Sequence, residues 1–353
     1  MKNNNKWSVT ALAIAALVVN TCFSSAGAKA APPARFWPAV DPDLLTCLKP
    51  HRGDMLVAAK WNKCLIQRAP EGRHVVIFHM PSDSVAPRYK VAVADLMILK
   101  RQKLGAFQLT KTIGADGVEI DMGGLGTRET FDNSLANDTI RQQFLDKAKE
   151  LNLEISSLAM TGFYAQSFAQ RPTAVKAVED CINTMKQMKV KIGFLPLGVQ
   201  GDLVKNPELR PAIVERLKEV GKYAQQAGVI IAIETSLPAA DEVKLLKDIG
   251  SPAIKICFNF SNPLAAGRDL YKELTTLGKE RIAEIHCTNK DGVWLQNDPQ
   301  VDMKKVKEIL DKMKWSGWLV IERSRDAADA KNVKKNFGAN TAYVKSIFQP
   351  ANN

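Results

Sequence analysis

A chain of 353 residues with 46% apolar residues has material for one large domain or two small ones. Its net charge of +12 is spread over helix faces, as at Lys304, Lys305, Lys307 and Lys312, which reads as a solvated basic surface and not a nucleic-acid footprint. After the amino terminus no stretch is long and apolar enough to span a bilayer.

Residues 1–30 begin with Lys2 and Lys6, continue through an apolar run over 9–19, and end in small residues at Ala26, Ala28 and Ala30. That is the pattern of a secretory signal peptide, so the sequence predicts an exported protein, periplasmic or secreted. Cys22 suggests a lipoprotein anchor, but Thr21 is a poor residue before such a cysteine, and soluble export is the preferred reading. Cleavage after Ala30 leaves 353 − 30 = 323 residues, and the loss of Lys2, Lys6 and Lys29 brings the charge near +9. Export argues further against a nucleic-acid partner.

Residues 31–88 form an irregular extension punctuated by Pro32, Pro33, Pro38, Pro42, Pro50, Pro70, Pro81 and Pro87, with a strand expected at 75–78. Its function is not legible. Cys47 and Cys64 could pair as a disulfide in an oxidising compartment. Cys181, Cys257 and Cys287 sit in apolar patterns without a Cys-x-x-Cys spacing and read as core residues.

From Lys90 onward short apolar runs alternate with segments of helical period. The runs at 90–95, 117–121, 153–159, 191–197, 229–234, 253–258, 282–286 and 318–322 predict eight strands. Between them Val175, Val178, Ile182 and Met185 share one helix face, as do Ile213, Leu217, Val220 and Ala224, and Met303, Val306, Leu310 and Met313. Asn206-Pro207 reads as a helix start, Gly250 as a stop, and a last helix is expected over 330–347. Eight alternating units over 89–350 predict an α/β fold, a (β/α)8 TIM barrel behind the irregular extension. A doubly wound sheet is the alternative, but its Gly-x-Gly-x-x-Gly turn is missing after the first strand.

In such a barrel chemistry gathers at the strand carboxyl ends. Glu234, Asn259, His286 and Glu322 stop the last four apolar runs at equivalent places and should converge. Two carboxylates, an imidazole and an amide oxygen suit one hard or borderline divalent ion, namely Mn, Mg, Co or Zn. Taken singly, each residue reads more simply as a strand-end polar group bonded to a loop.

These residues resemble the xylose-isomerase-like barrels, the sugar phosphate isomerases and epimerases, over about 90–325. The resemblance rests on Gly114-Ala-Asp-Gly-Val-Glu-Ile-Asp121, Val229-Ile-Ile-Ala-Ile-Glu-Thr235, Ile254-Lys-Ile-Cys-Phe-Asn-Phe-Ser-Asn262, Arg281-Ile-Ala-Glu-Ile-His286 and Gly317-Trp-Leu-Val-Ile-Glu322. It implies metal ligation by Glu234, Asn259, His286 and Glu322, with Glu234 and Glu322 as the acid and base pair. Two departures stand out: Asn259 replaces the family's usual aspartate, and Cys287-Thr-Asn-Lys290 follows the histidine in place of an apolar residue, lysine and aspartate. An amide brings no charge, so weaker metal binding is expected, and a sugar-phosphate substrate is in doubt.

The expected chemistry is proton removal beside a carbonyl, leading to isomerisation, epimerisation or elimination. Phosphorylated sugars are mainly cytosolic, so an exported member should meet a non-phosphorylated sugar or glycoside, including 3-keto forms. Glu119, Tyr164, Gln200, Lys290 and Arg323 are candidate substrate contacts. A non-catalytic secreted sugar-binding barrel with a degraded metal site is the alternative. The endonucleases of this fold need many histidines, whereas His51, His74 and His79 precede the barrel and only His286 lies in it. The sequence leaves the oligomeric state open, a homo-oligomer included.

Overall fold

The computed structural model describes residues 88–350 and the backbone of 64–68 and 74–78. The chain divides into two compact units, Met1–Val85 and Ala86–Asn353. In the first, β1 (Cys64–Arg68) and β2 (His74–Phe78) pair antiparallel, with Cys64 opposite Phe78. The strand expected at 75–78 is therefore present, beside a partner strand that the proline-rich pattern did not suggest. The expected signal peptide, Cys22, and Cys47 with the disulfide expected of it lie outside the described residues.

The second unit holds β3 (Tyr89–Ala94), β4 (Gly117–Asp121), β5 (Glu154–Ala159), β6 (Ile192–Pro196), β7 (Ile230–Glu234), β8 (Ile254–Asn259), β9 (Ile282–His286) and β10 (Gly317–Ile321). Each pairs in parallel with the next, and β10 pairs with β3 to close the TIM barrel. Strands covered on both faces need no polar alternation, which is why they read as continuous apolar runs.

Around them lie α1 (Asp95–Ile98), α2 (Gly105–Ile113), α3 (Asp138–Glu150), α4 (Ala174–Met188), α5 (Arg210–Ala227), α6 (Ala239–Ile249), α7 (Ser261–Ala265), α8 (Leu270–Leu277), α9 (Met303–Met313) and α10 (Val333–Phe348). The predicted apolar stripes face inward: Ile213, Leu217, Val220 and Ala224 of α5 are fully buried, as are Val178 and Met185 of α4. Gly250 ends α6 in the left-handed conformation expected of a stop.

Three boundaries move for identifiable reasons. Asn206-Pro207 opens a 3-10 turn, Pro207–Leu209, and α5 itself begins at Arg210. The ring of Pro211 would clash with the carbonyl of residue 207 in a continuous α-helix, so the regular helix starts later. The last helix starts at Val333 because the Asn332 side chain caps it by accepting from the Lys335 amide. The first strand ends at Ala94, and Asp95 enters the short α1.

Strand alternation sorts the two sides of the barrel wall. Ile231 and Ile233 belong to the main core with the helices, whereas Ala232 joins Ala159, Phe194 and Cys257 in a smaller cluster of its own. By the same alternation Glu234 shares a face with Ala232, and Asn259 shares one with Cys257.

Candidate metal and active site

Glu234 ends β7, Asn259 ends β8, His286 ends β9, and Glu322 follows β10. The parallel register sets Asn259 directly opposite His286. The Asn259 amide nitrogen donates to Glu234 Oε1 at 3.4 Å and to Glu322 Oε1 at 3.3 Å. Nδ1 of His286 donates to Glu322 Oε2 at 3.1 Å. The four side chains named from strand ends thus meet in one place.

Neighbouring loops fix their orientation. The Tyr164 hydroxyl donates to Glu234 Oε2 at 2.9 Å, and the Asn262 amide donates to Glu234 Oε1 at 3.0 Å. Asn259 Oδ1 accepts from the backbone and the hydroxyl of Ser261 at 3.0 and 2.7 Å. This orientation differs from the one expected of a ligand, because the amide turns its nitrogen toward the carboxylates. Presenting the oxygen to a cation requires rotating the amide and giving up both Ser261 bonds.

The other edge of His286 faces the barrel interior. Its Nε2 lies 3.5 Å from Glu119 Oε2 and has no hydrogen-bond partner. Both carboxyl oxygens of Glu284, one turn of the strand pleat deeper, are also buried without a partner. Cys257, Glu284 and His286 bring ligand atoms within 4.8 Å of one another, all buried. Glu119 accepts from the Ser157 hydroxyl at 2.8 Å and is only 2% exposed. A candidate substrate contact by sequence, it lies against the histidine, where a carboxylate orients the imidazole and raises its basicity.

Burial, then the charge of Glu322, pushes the Glu234 carboxyl above its usual range. Burial acts the same way on Glu322, but the hydrogen bond and charge of His286 outweigh it and hold this carboxyl below its usual range. For His286 burial opposes a charged ring, yet its neighbours, Cys257 first and then Glu119, outweigh this and raise it well above the ordinary value. The Cys257 thiol is itself pushed far up by burial, so at neutral pH it stays protonated and the carboxylates supply the negative field. The carboxylates of Glu234 and Glu322 beside the Nδ1 edge of His286 fit a divalent cation, and the orphaned Nε2 and Glu284 oxygens form a separate buried donor set on the other edge.

The remaining candidates scatter. Arg323 is exposed beside Glu322 and lowers that carboxyl by its charge. Lys290 and Gln200 are exposed loop residues outside the quartet. Tyr164 is 37% exposed although its hydroxyl reaches Glu234. Asn262, Ser157 and Ser261 join the site without a strand-end signal in the sequence. The motif containing Asn259 already held Ser261 and Asn262, but only the turn into α7 aims them back at the strand ends. Across the mouth, Arg101 Nε pairs with buried Asp121 at 2.7 Å, and the Asp121 amide donates to Asp95. Burial pushes Asp95 up to about 8.

The family profile described as xylose isomerase-like TIM barrel matches residues 107–345. The chain belongs to this family. Among curated proteins it is similar to 2-epi-5-epi-valiolone 7-phosphate 2-epimerase of Actinoplanes sp., 24% identical over 188 residues, covering 53% of this chain and 67% of that protein. Among solved structures it shares the fold of 3-keto-D-glucoside 4-epimerase from E. coli, with a TM-score of 0.59 and 16% identity over 73% of this chain and 99% of the other. D-psicose 3-epimerase from Clostridium cellulolyticum H10, determined with D-tagatose, gives a TM-score of 0.58 and 14% identity over 73% and 99%. As a xylose isomerase-like barrel, the chain carries its polar cluster at the strand ends where that fold places chemistry.

Proposed function

We propose that this chain is a divalent-metal-dependent enzyme of the isomerase and epimerase type that removes a proton next to a carbonyl. Its substrate is a non-phosphorylated sugar or glycoside, 3-keto forms included, and the outcome is isomerisation, epimerisation or carbon–oxygen elimination. The observation that carries the reading is the meeting of Glu234 and Glu322 at one amide, beside the imidazole of His286. Export through residues 1–30 belongs to the proposal and favours a substrate without phosphate. The names of the relatives support a carbohydrate substrate, although the Actinoplanes protein is named for a phosphorylated one.

Glu234 and Glu322 form the acid and base pair. One carboxylate takes the proton from carbon, and the electron pair moves into the adjacent carbonyl to give an enediolate. Return of a proton to the opposite face gives the epimer, return at the neighbouring carbon gives the isomer, and departure of a leaving group gives the elimination product. Tyr164 and Asn262 hold both oxygens of Glu234, so its direction is set before substrate arrives. Glu234, Asn259, His286 and Glu322 would hold a divalent ion of the Mn, Mg, Co or Zn class, which would supply Lewis-acid stabilisation of the negative charge.

The test is carbon–hydrogen exchange in deuterated water, followed by proton NMR, on 3-keto-glucosides, free ketohexoses and their phosphates. Exchange on the unphosphorylated compounds should need added metal and fall by about 100-fold or more in Glu234→Gln and Glu322→Gln. Exchange that survives both substitutions would overturn the assignment. Tight sugar binding without exchange under any metal would favour a binding protein.

A further inference from the structure

A cavity of about 160 Å³ adjoins Glu234 but lies to one side of the quartet, sharing no wall with Asn259, His286 or Glu322. Its walls come from the 3-10 turn Thr161–Tyr164 and from the loop after β6, with Tyr164, Leu197, Val199 and Leu203 facing Glu234 and Asn262. The two loops are seated on each other. A Cβ on Gly198, whose φ is +66°, would stand 2.5 Å from the Phe163 carbonyl oxygen and 2.8 Å from Tyr164 Cα. The wall is therefore built by close packing of loop backbones.

Most polar groups of the lining are already committed inside the protein, and the second carboxylate oxygen of Asp202 lies 3.6 Å from the Lys205 ammonium. Asp202 accepts from the Ser236 hydroxyl and the Val204 amide, and Thr235 donates to Glu242 while accepting from the Leu237 amide. Both donor bonds of Asn262 go to Glu234 and the Thr235 carbonyl. What is left toward a ligand is mainly apolar. Among the described residues the exposed large apolar side chains are Leu99, which follows α1, Tyr164, which ends the 3-10 turn after β5, and Val199, Val204 and Val293 in the loops after β6 and β9. Val199 is 64% exposed and lines the cavity, while Val204 is 55% exposed in the same loop. Of these five, Tyr164 and Val199 share the wall of this cavity.

We propose that this cavity is an aglycone subsite: it takes one apolar six-membered ring attached to a sugar that sits against Glu234. The volume supports a single ring, since an apolar cavity of about 150 Å³ accommodates benzene. This rests on the reading of the quartet as a carbohydrate site and adds the class of glycoside, one carrying a small aromatic group and not a second sugar.

The experiment uses the full chain loaded with Mn. Calorimetry compares phenyl β-D-glucopyranoside, methyl β-D-glucopyranoside and cellobiose, and exchange in deuterated water compares the 3-keto forms of the same compounds. Burial of one ring predicts that the phenyl compound binds about 10- to 100-fold more tightly than the methyl compound. Val199→Ser should reduce that preference several-fold and leave methyl glucoside binding unchanged. Equal affinity for phenyl and methyl compounds, a preference for cellobiose, or a Val199→Ser variant whose native mass changes without loss of phenyl preference would each overturn the subsite. Exchange on the methyl 3-keto-glucoside without a phenyl preference would leave the proposed function standing and remove only the subsite. Phenyl preference in calorimetry without exchange on any compound would do the reverse.

Discussion

Replacing Asn259 by aspartate changes the one neutral member of the quartet into a charge. In Asn259→Asp a carboxylate oxygen would stand where the amide nitrogen now lies, 3.4 Å from Glu234 Oε1 and 3.3 Å from Glu322 Oε1. At an effective dielectric constant of about 20, each such contact between full charges costs about 5 kcal/mol. The cluster avoids the sum by binding a proton, which raises a folded-state pKa above its unfolded value. Stability contributed by that proton is present at low pH and lost as pH rises. Keeping a carboxyl of ordinary pKa about 3.9 neutral costs about 5 to 6 kcal/mol at about pH 8 and about 2 kcal/mol at about pH 5.5. These are upper limits, because Glu234 already holds its proton more tightly than an exposed glutamate. Urea unfolding in EDTA should show the variant less stable than the parent, by more at the higher pH. Saturating Mn should close the gap, and calorimetry should show metal binding at least about 10-fold tighter, equivalent to about 1.4 kcal/mol of the relieved repulsion. A variant as stable as the parent in EDTA at both pH values, with unchanged metal affinity, would refute the placement of residue 259 between the two carboxylates.

Glu119→Gln keeps the shape beneath His286 but removes the facing charge at 3.5 Å, and metal affinity should fall about 10- to 100-fold by calorimetric titration. Unchanged affinity would show that Glu119 does not act through the histidine. Glu242 accepts from the Thr235 hydroxyl at 2.7 Å, and burial pushes its carboxyl from 4.5 up to about 8. The folded state therefore binds more protons, and the stabilising effect present below the unfolded pKa is lost as pH rises toward about 8. In Glu242→Gln urea unfolding should lose this slope, leaving the variant more stable than the parent at about pH 8 by up to about 5 kcal/mol and not at about pH 4.5. A parallel pH dependence in both proteins would contradict the raised value. Asn340, buried in α10, accepts from the Leu295 amide and donates to the Ser324 carbonyl, both at 2.8 Å. Asn340→Ala should cost about 2 to 5 kcal/mol, since it strands two buried backbone groups. Hydrogen exchange should quicken at Leu295, and protection unchanged there would show that the loop holds without the helix.

The sequence alone determined the eight strands, the helix faces and the four strand-end residues. Those signals are local: a strand buried on both faces is apolar throughout, and a polar residue that ends such a run marks the place where the chain leaves the barrel. Glu234, Asn259, His286 and Glu322 could therefore be named without coordinates. Tertiary structure alone decided what each side chain touches. Glu119 and Tyr164 looked alike as strand-end or loop candidates, yet one lies beneath His286 with Ser157 and the other reaches Glu234 from the mouth. The partners of Glu119 stand on β5 and β9, at 38 and 167 positions along the chain (157 − 119 and 286 − 119), and no periodicity relates residues across a closed sheet. Nor did the sequence indicate which way the Asn259 amide turns. That depends on Ser261 at the start of α7, where two donors claim the amide oxygen and leave its nitrogen for the carboxylates.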